Sequence, residues 1–72
     1  MSSSSSSSGG FEFTNEIIAS QIPGFVPQVA RPPGAPEPPD NAWIYVGYKV
    51  ANGIVLWIFK RLGHLLIIGA VE

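Results

Sequence analysis

The chain has no cysteine, so disulfides and thiolate metal sites are excluded. It has one histidine, which cannot build a metal site alone. Charge is scarce: four Lys or Arg stand against five Asp or Glu, a formal net charge of −1. Nothing in that balance suggests an electrostatic nucleic-acid binder. At 72 residues the chain forms one small domain at most, and such chains need support beyond their own core. With disulfides and metals excluded, partners are the remaining support.

Catalytic patterns are also missing. The serine run offers no histidine–acid arrangement, and there is no phosphate-binding loop. Glu12 and Glu16 are one helical turn apart, which fits the solvated face of a short amphipathic segment better than a carboxylate pair. The expectation is a protein that is not an enzyme. The N-terminus lacks the basic start and apolar run of a secretory signal.

Apolar residues are present, but at one end. Residues 1–42 are rich in Ser, Gly and Pro, and residues 43–71 are almost all apolar or aromatic. Residues 1–10, "MSSSSSSSGG", form a low-complexity arm, read as a contact arm held by neighbouring subunits. Residues 11–22 are a short amphipathic segment in which Thr14 can cap a helix and Ile17, Ile18 and Ile22 share a face. Residues 23–40 hold all seven prolines and read as an extended, stiff spacer. "RPPGAP" within it superficially fits a ligand for an aromatic-lined groove. Asp40 or Asn41 can cap a helix starting near Ala42.

Two readings compete for residues 43–71. Asn52-Gly53 between apolar runs is the strongest short hairpin signal. A turn there pairs Val50 with Val55, Tyr48 with Trp57 and Val46 with Phe59, and Leu65 to Val71 can add a third strand. Against this, at about 100° per residue Lys49, Asn52, Gly53, Leu56, Lys60, Gly63 and His64 fall in one helical stripe. A hairpin would be apolar on both faces, and the first 42 residues offer little to cover it, whereas lipid covers a helix. The expected fold is therefore mostly α. It has one transmembrane or membrane-associated helix, an extended Ser/Gly- and Pro-rich arm and no independent globular core. The β-hairpin or meander turning at Asn52-Gly53 is the alternative.

On the helical reading residues 42–59 span the membrane, and residues 60–72 are a basic interface anchor with an apolar tail. The stretch between Lys49 and Lys60 spans only about 15 Å, against a hydrocarbon core of about 30 Å. Snorkelling by Lys49, Lys60 and Arg61 closes the gap. Trp43, Tyr45 and Tyr48 then sit at one interface and Trp57 at the other, with His64 beside the basic pair. Charge asymmetry places the C-terminal side in the cytoplasm or its equivalent. Gly47 and Ala51 form a small-residue pair suited to close helix packing.

His64 is the one residue with site chemistry, as a possible pigment or haem ligand, though no second ligand is in view. Lys60, Arg61 and His64 together suit an anionic lipid headgroup. No cofactor is expected beyond that. The expected partners are subunits of a large assembly and membrane lipid, with no nucleic acid. The layout is that of the small, non-catalytic, single-span accessory subunits of photosynthetic or respiratory complexes. The alternative is a minor structural protein of a virus particle or shell, with its arm between capsid subunits. A membrane-permeabilising peptide is a weaker third reading, because near-zero net charge disfavours binding to anionic membranes.

Overall fold

The computed structural model describes residues 12–69, so the serine arm and the last three residues lie outside it. One short helix, α1 (Asn15–Gln21), precedes four strands: β1 (Val26–Pro27), β2 (Ile44–Ala51), β3 (Ile54–Arg61) and β4 (His64–Gly69). The strands form one antiparallel sheet in the order β1-β2-β3-β4. The helix expected over residues 42–59 is not formed, and the same residues make a hairpin. No helix among the described residues is long and apolar enough to cross a membrane. The single-pass membrane location, with its cytoplasmic C-terminal side, is overturned with it.

Local backbone chemistry decides for strands. Asn52 (φ 55°) and Gly53 (φ 74°) both take positive φ, as a type I′ hairpin turn requires. A second two-residue turn, Leu62-Gly63, joins β3 to β4 and places Gly63 at φ 75°. β-branched and aromatic residues dominate between the turns and fit a pleated surface. Tyr48 stands opposite Trp57 and Val50 opposite Val55. Val46 does not face Phe59: a bulge between Tyr45 and Gly47 gives that place to Tyr45. β4 ends its described course at Gly69, and Val71 lies outside the described residues.

The first half of the chain covers this sheet on both sides. Thr14 caps α1, its hydroxyl oxygen accepting a hydrogen bond from the Ile17 N–H at 3.3 Å. Phe13, Ile18, Ile22 and Phe25 then pack with Val46 and Ile58 as one core cluster, with Ile17 and Leu65 at its margin. Ile18 and Ile58 are fully buried. Successive residues of a strand face opposite ways, so Phe59 points to the other side, and it too is fully buried. There the proline-rich segment folds over it. The Tyr45 hydroxyl donates to Gln28 Oε1 at 2.7 Å, and Arg31, Glu37 and Pro38 line a hollow with Trp43, Tyr45 and Phe59.

That segment is not a plain extended spacer. Val26 and Pro27 add a short edge strand to β2, where proline is tolerated. Ala35 N–H donates to the Pro32 carbonyl at 3.1 Å, making a turn. Arg31 Nη1 closes the loop by donating to the carbonyls of Ala35 (3.4 Å) and Pro36 (3.1 Å). Asp40 caps no helix: its carbonyl accepts from the Trp43 N–H at 3.2 Å, and the chain turns into β2.

Candidate interaction surface

The residues expected to anchor a membrane helix are redistributed by the sheet. Tyr45, Tyr48 and Trp57 form one row on the face away from α1. The Trp57 ring lies 6.2 Å from Tyr45 and 6.0 Å from Tyr48, and Tyr45 meets Phe59 edge-on at 5.6 Å. They are contiguous, not split between two interfaces. Such tilted pairs stabilise beyond their buried area by about 0.5–1.5 kcal/mol each. Burial of Tyr45 holds its hydroxyl pKa above the usual tyrosine value, and the neighbouring Tyr48 adds to the shift.

The basic residues also separate. Lys60 lies on the α1 side, its Nζ donating to the Phe13 carbonyl at 3.2 Å. Arg61 points the other way, with its guanidinium carbon 5.7 Å from the centre of the Trp43 ring. His64 is exposed at the start of β4, paired across the turn with Arg61. Lys49 stands opposite Leu56 on the hairpin and is half-buried. Lys60, Arg61 and His64 do border one open cleft of ≈ 690 Å³, together with Glu12 and Phe13. Lys60 is already committed to a backbone carbonyl there, and Glu12 brings a like-sized opposing charge. Among the described residues no three His, Asp or Glu side chains gather where a metal could be held.

Gly47 and Ala51 do not serve helix packing. Gly47 is buried where β1 pairs with β2, opposite Pro27. A Cβ there would meet the Val26 carbonyl oxygen and come within 2.7 Å of the Phe25 ring. Ala51 ends β2 beside the turn and is half-buried.

One uncovered apolar surface is the far end of the β2–β3 hairpin, while Ile44 and Leu62 are 57% and 72% exposed toward its opposite end. Val50 and Ile54 are 56% and 47% exposed. Val50 pairs with Val55 on one face, while Leu56 shares the other with Ile54, so both faces are apolar. Along β4, Leu65 to Gly69 carries no charge, and Ile67 is 45% exposed. Single exposed apolar residues are ordinary, but an apolar group continuous across a strand pair is characteristic of an interaction site. The alternation that makes this surface was legible in the sequence once the turn at Asn52-Gly53 is fixed. The helical stripe concealed it.

Comparison with family models, characterised proteins and solved structures finds no match to this chain.

Proposed function

We propose that this chain is a non-catalytic structural protein that works inside a larger protein assembly, with the outer end of the β2–β3 hairpin as its attachment. The observation that carries the reading is the hairpin end itself, apolar on both faces, with Val50 and Ile54 open to solvent. A strand pair of this kind is satisfied when other protein surrounds it, and a groove between subunits does so on both sides. Of the two settings the sequence suggests, this favours a protein shell over a bilayer-spanning complex, because the attachment is a sheet and not a span. The proline-rich loop and α1 then act as internal cover that keeps the sheet folded.

A photo-cross-linking residue at Val50 or Ile54, introduced in the cells that make the protein, tests this. Cross-linking to one defined protein, absent when the probe sits at Pro33, is the expected result. The chain should also migrate natively far above its own 7.7 kDa. Migration at its own mass, with no more cross-linking at Val50 and Ile54 than at Pro33, would overturn the proposal.

A further inference from the structure

We infer that β4 pairs edge to edge with β4 of a second copy of this chain, on a two-fold axis through Ile67. The inference rests on reading the chain as an assembly protein but uses a different surface from the hairpin end.

The argument begins with hydrogen-bond parity. Arg61 and His64 flank a two-residue turn and exchange hydrogen bonds, so along β4 the N–H and C=O groups of His64, Leu66 and Ile68 turn toward β3. The pairing runs without a register shift from Arg61↔His64 to Leu56↔Gly69. The groups of Leu65, Ile67 and Gly69 therefore turn outward. β4 is the terminal strand of the sheet among the described residues, so these outward groups form an open ladder.

Open edges in proteins are usually guarded by charge, proline, a bulge or brevity. The opposite edge has such a guard: β1 is two residues long and one of them is Pro27. β4 has none. It is six residues long, and Leu65, Leu66, Ile67, Ile68 and Gly69 include no charge and no proline.

Over its described residues the strand is also self-complementary, so a second copy fits it. Antiparallel pairing centred on Ile67 sets Leu65 against Gly69 of the copy, Ile67 against Ile67, and Gly69 against Leu65. Every outward group of the described strand is used, with none left over. Ile67 meets its own equivalent on the α1 side, and Leu66 meets Ile68 on the aromatic side. No like charges are brought together. The two-fold axis stands perpendicular to the sheet, so both α1 layers lie on the same side of one eight-stranded sheet. An isologous contact of this kind closes at two copies and does not propagate through β4.

The test is the mass of the full chain by light scattering at about 100 µM, where a dimer of micromolar Kd is largely formed. The expected mass is twice 7.7 kDa. Ile67→Pro removes the outward N–H at the axis, and Ile67→Lys sets two like charges face to face. Ile67→Pro should raise the dimer Kd by tenfold or more, on the order of what two lost ladder bonds cost, and Ile67→Lys should raise it through like-charge repulsion and lost apolar contact. Circular dichroism should keep the sheet signal, because the Ile67 N–H plays no part in the β3 ladder. Where Ile67→Pro fails to fold, Ile67→Lys carries the decision. Ile67→Cys adds an independent readout in a chain without cysteine. It should oxidise to a covalent dimer much faster than Leu62→Cys, since paired Cα atoms about 5.5 Å apart suit a disulfide. A wild-type monomer at that concentration overturns the inference. So does a dimer untouched by both substitutions, or equal oxidation at residues 62 and 67. A β4 dimer whose Val50 and Ile54 probes capture nothing would uphold the pairing and remove the wider assembly. Cross-linking at Val50 in a monomeric chain would do the reverse.

Discussion

Gly47 lies against the edge of the Phe25 ring, closer than any residue with a side chain could come. A Cβ at that position would stand 2.7 Å from Phe25 Cε1 and would also meet the carbonyl oxygen of Val26. Backbone is one of the two obstacles, so relief requires β1 to move off β2. Gly47→Ala should therefore destabilise the protein by about 1–3 kcal/mol, the usual cost of overpacking. Gly69→Ala is the control, because its Cβ would meet only the mobile end of Leu56, at 3.3 Å. Urea unfolding of both variants decides. Equal midpoints would mean that β1 yields without cost.

Ile18 is the centre of the cover that α1 provides, and it is fully buried. Ile18→Ala removes three carbons where Phe13, Phe25, Val46 and Ile58 meet, at an expected cost of about 2–5 kcal/mol. For a chain this small that approaches the whole stability. The expected outcome is loss of dispersed amide signals in an NMR spectrum at 25 °C, while Ala19→Ser, on the exposed side of α1, leaves the spectrum dispersed. A dispersed spectrum for Ile18→Ala would show that the sheet stands without the helix.

Tyr45 makes part of the fold's stability depend on alkaline pH. Its pKa is raised in the folded state, first by burial and second by Tyr48. A group whose folded pKa exceeds its unfolded value contributes stability below the unfolded pKa and loses it as pH rises through the folded one. For tyrosine that window opens at about pH 10 and extends upward. Thermal midpoints should fall above pH 10, and Tyr45→Phe should flatten that fall. The same variant should lose roughly 1 kcal/mol at neutral pH, because the hydroxyl no longer reaches Gln28. An unchanged alkaline slope in Tyr45→Phe would assign the loss to other groups.

The sequence made some of this legible and misdirected the rest. Thr14 was readable as a cap because a hydroxyl oxygen just before an amphipathic run satisfies free helix N–H groups. Asn52-Gly53 and the Tyr48–Trp57 pair were readable because positive φ at two successive positions is a narrow demand that those residues meet. Two features of the sequence favour a membrane helix that does not form. Lys49, Lys60 and His64 fall on a helical stripe by coincidence of spacing, in a strand pair where 3.6-residue periodicity means nothing. The first 42 residues read as offering little cover, yet Phe13, Ile18, Ile22 and Phe25, spread over thirteen residues, supply it. Packing across the chain gathers them, and no local pattern reveals that. The turn at Leu62-Gly63 is not legible, because leucine at its first position gives none of the signal that asparagine gives at residue 52.

The candidate surface fared similarly. Lys60, Arg61 and His64 are close in sequence, but alternation along β3 sends Lys60 to Phe13 and Arg61 to Trp43. Val50 and Ile54 are ordinary lipid-facing residues on the membrane-span reading and become an exposed surface only in the hairpin.

The bulge in β2 makes the strand's length matter more than its composition. Tyr45 and Tyr48 are an odd number of residues apart, yet both flank Trp57 on one face. They do so because one residue is spent at Val46–Gly47 without advancing the alternation. β2 is thus two half-strands of opposite phase, spliced at that point. A conservative replacement within either half leaves each side chain on its own face. Insertion or deletion of one residue outside the splice inverts a half-strand entire, exchanging tyrosine for isoleucine against α1. Gly47 apart, evolution of this segment is therefore freer to vary its letters than their number.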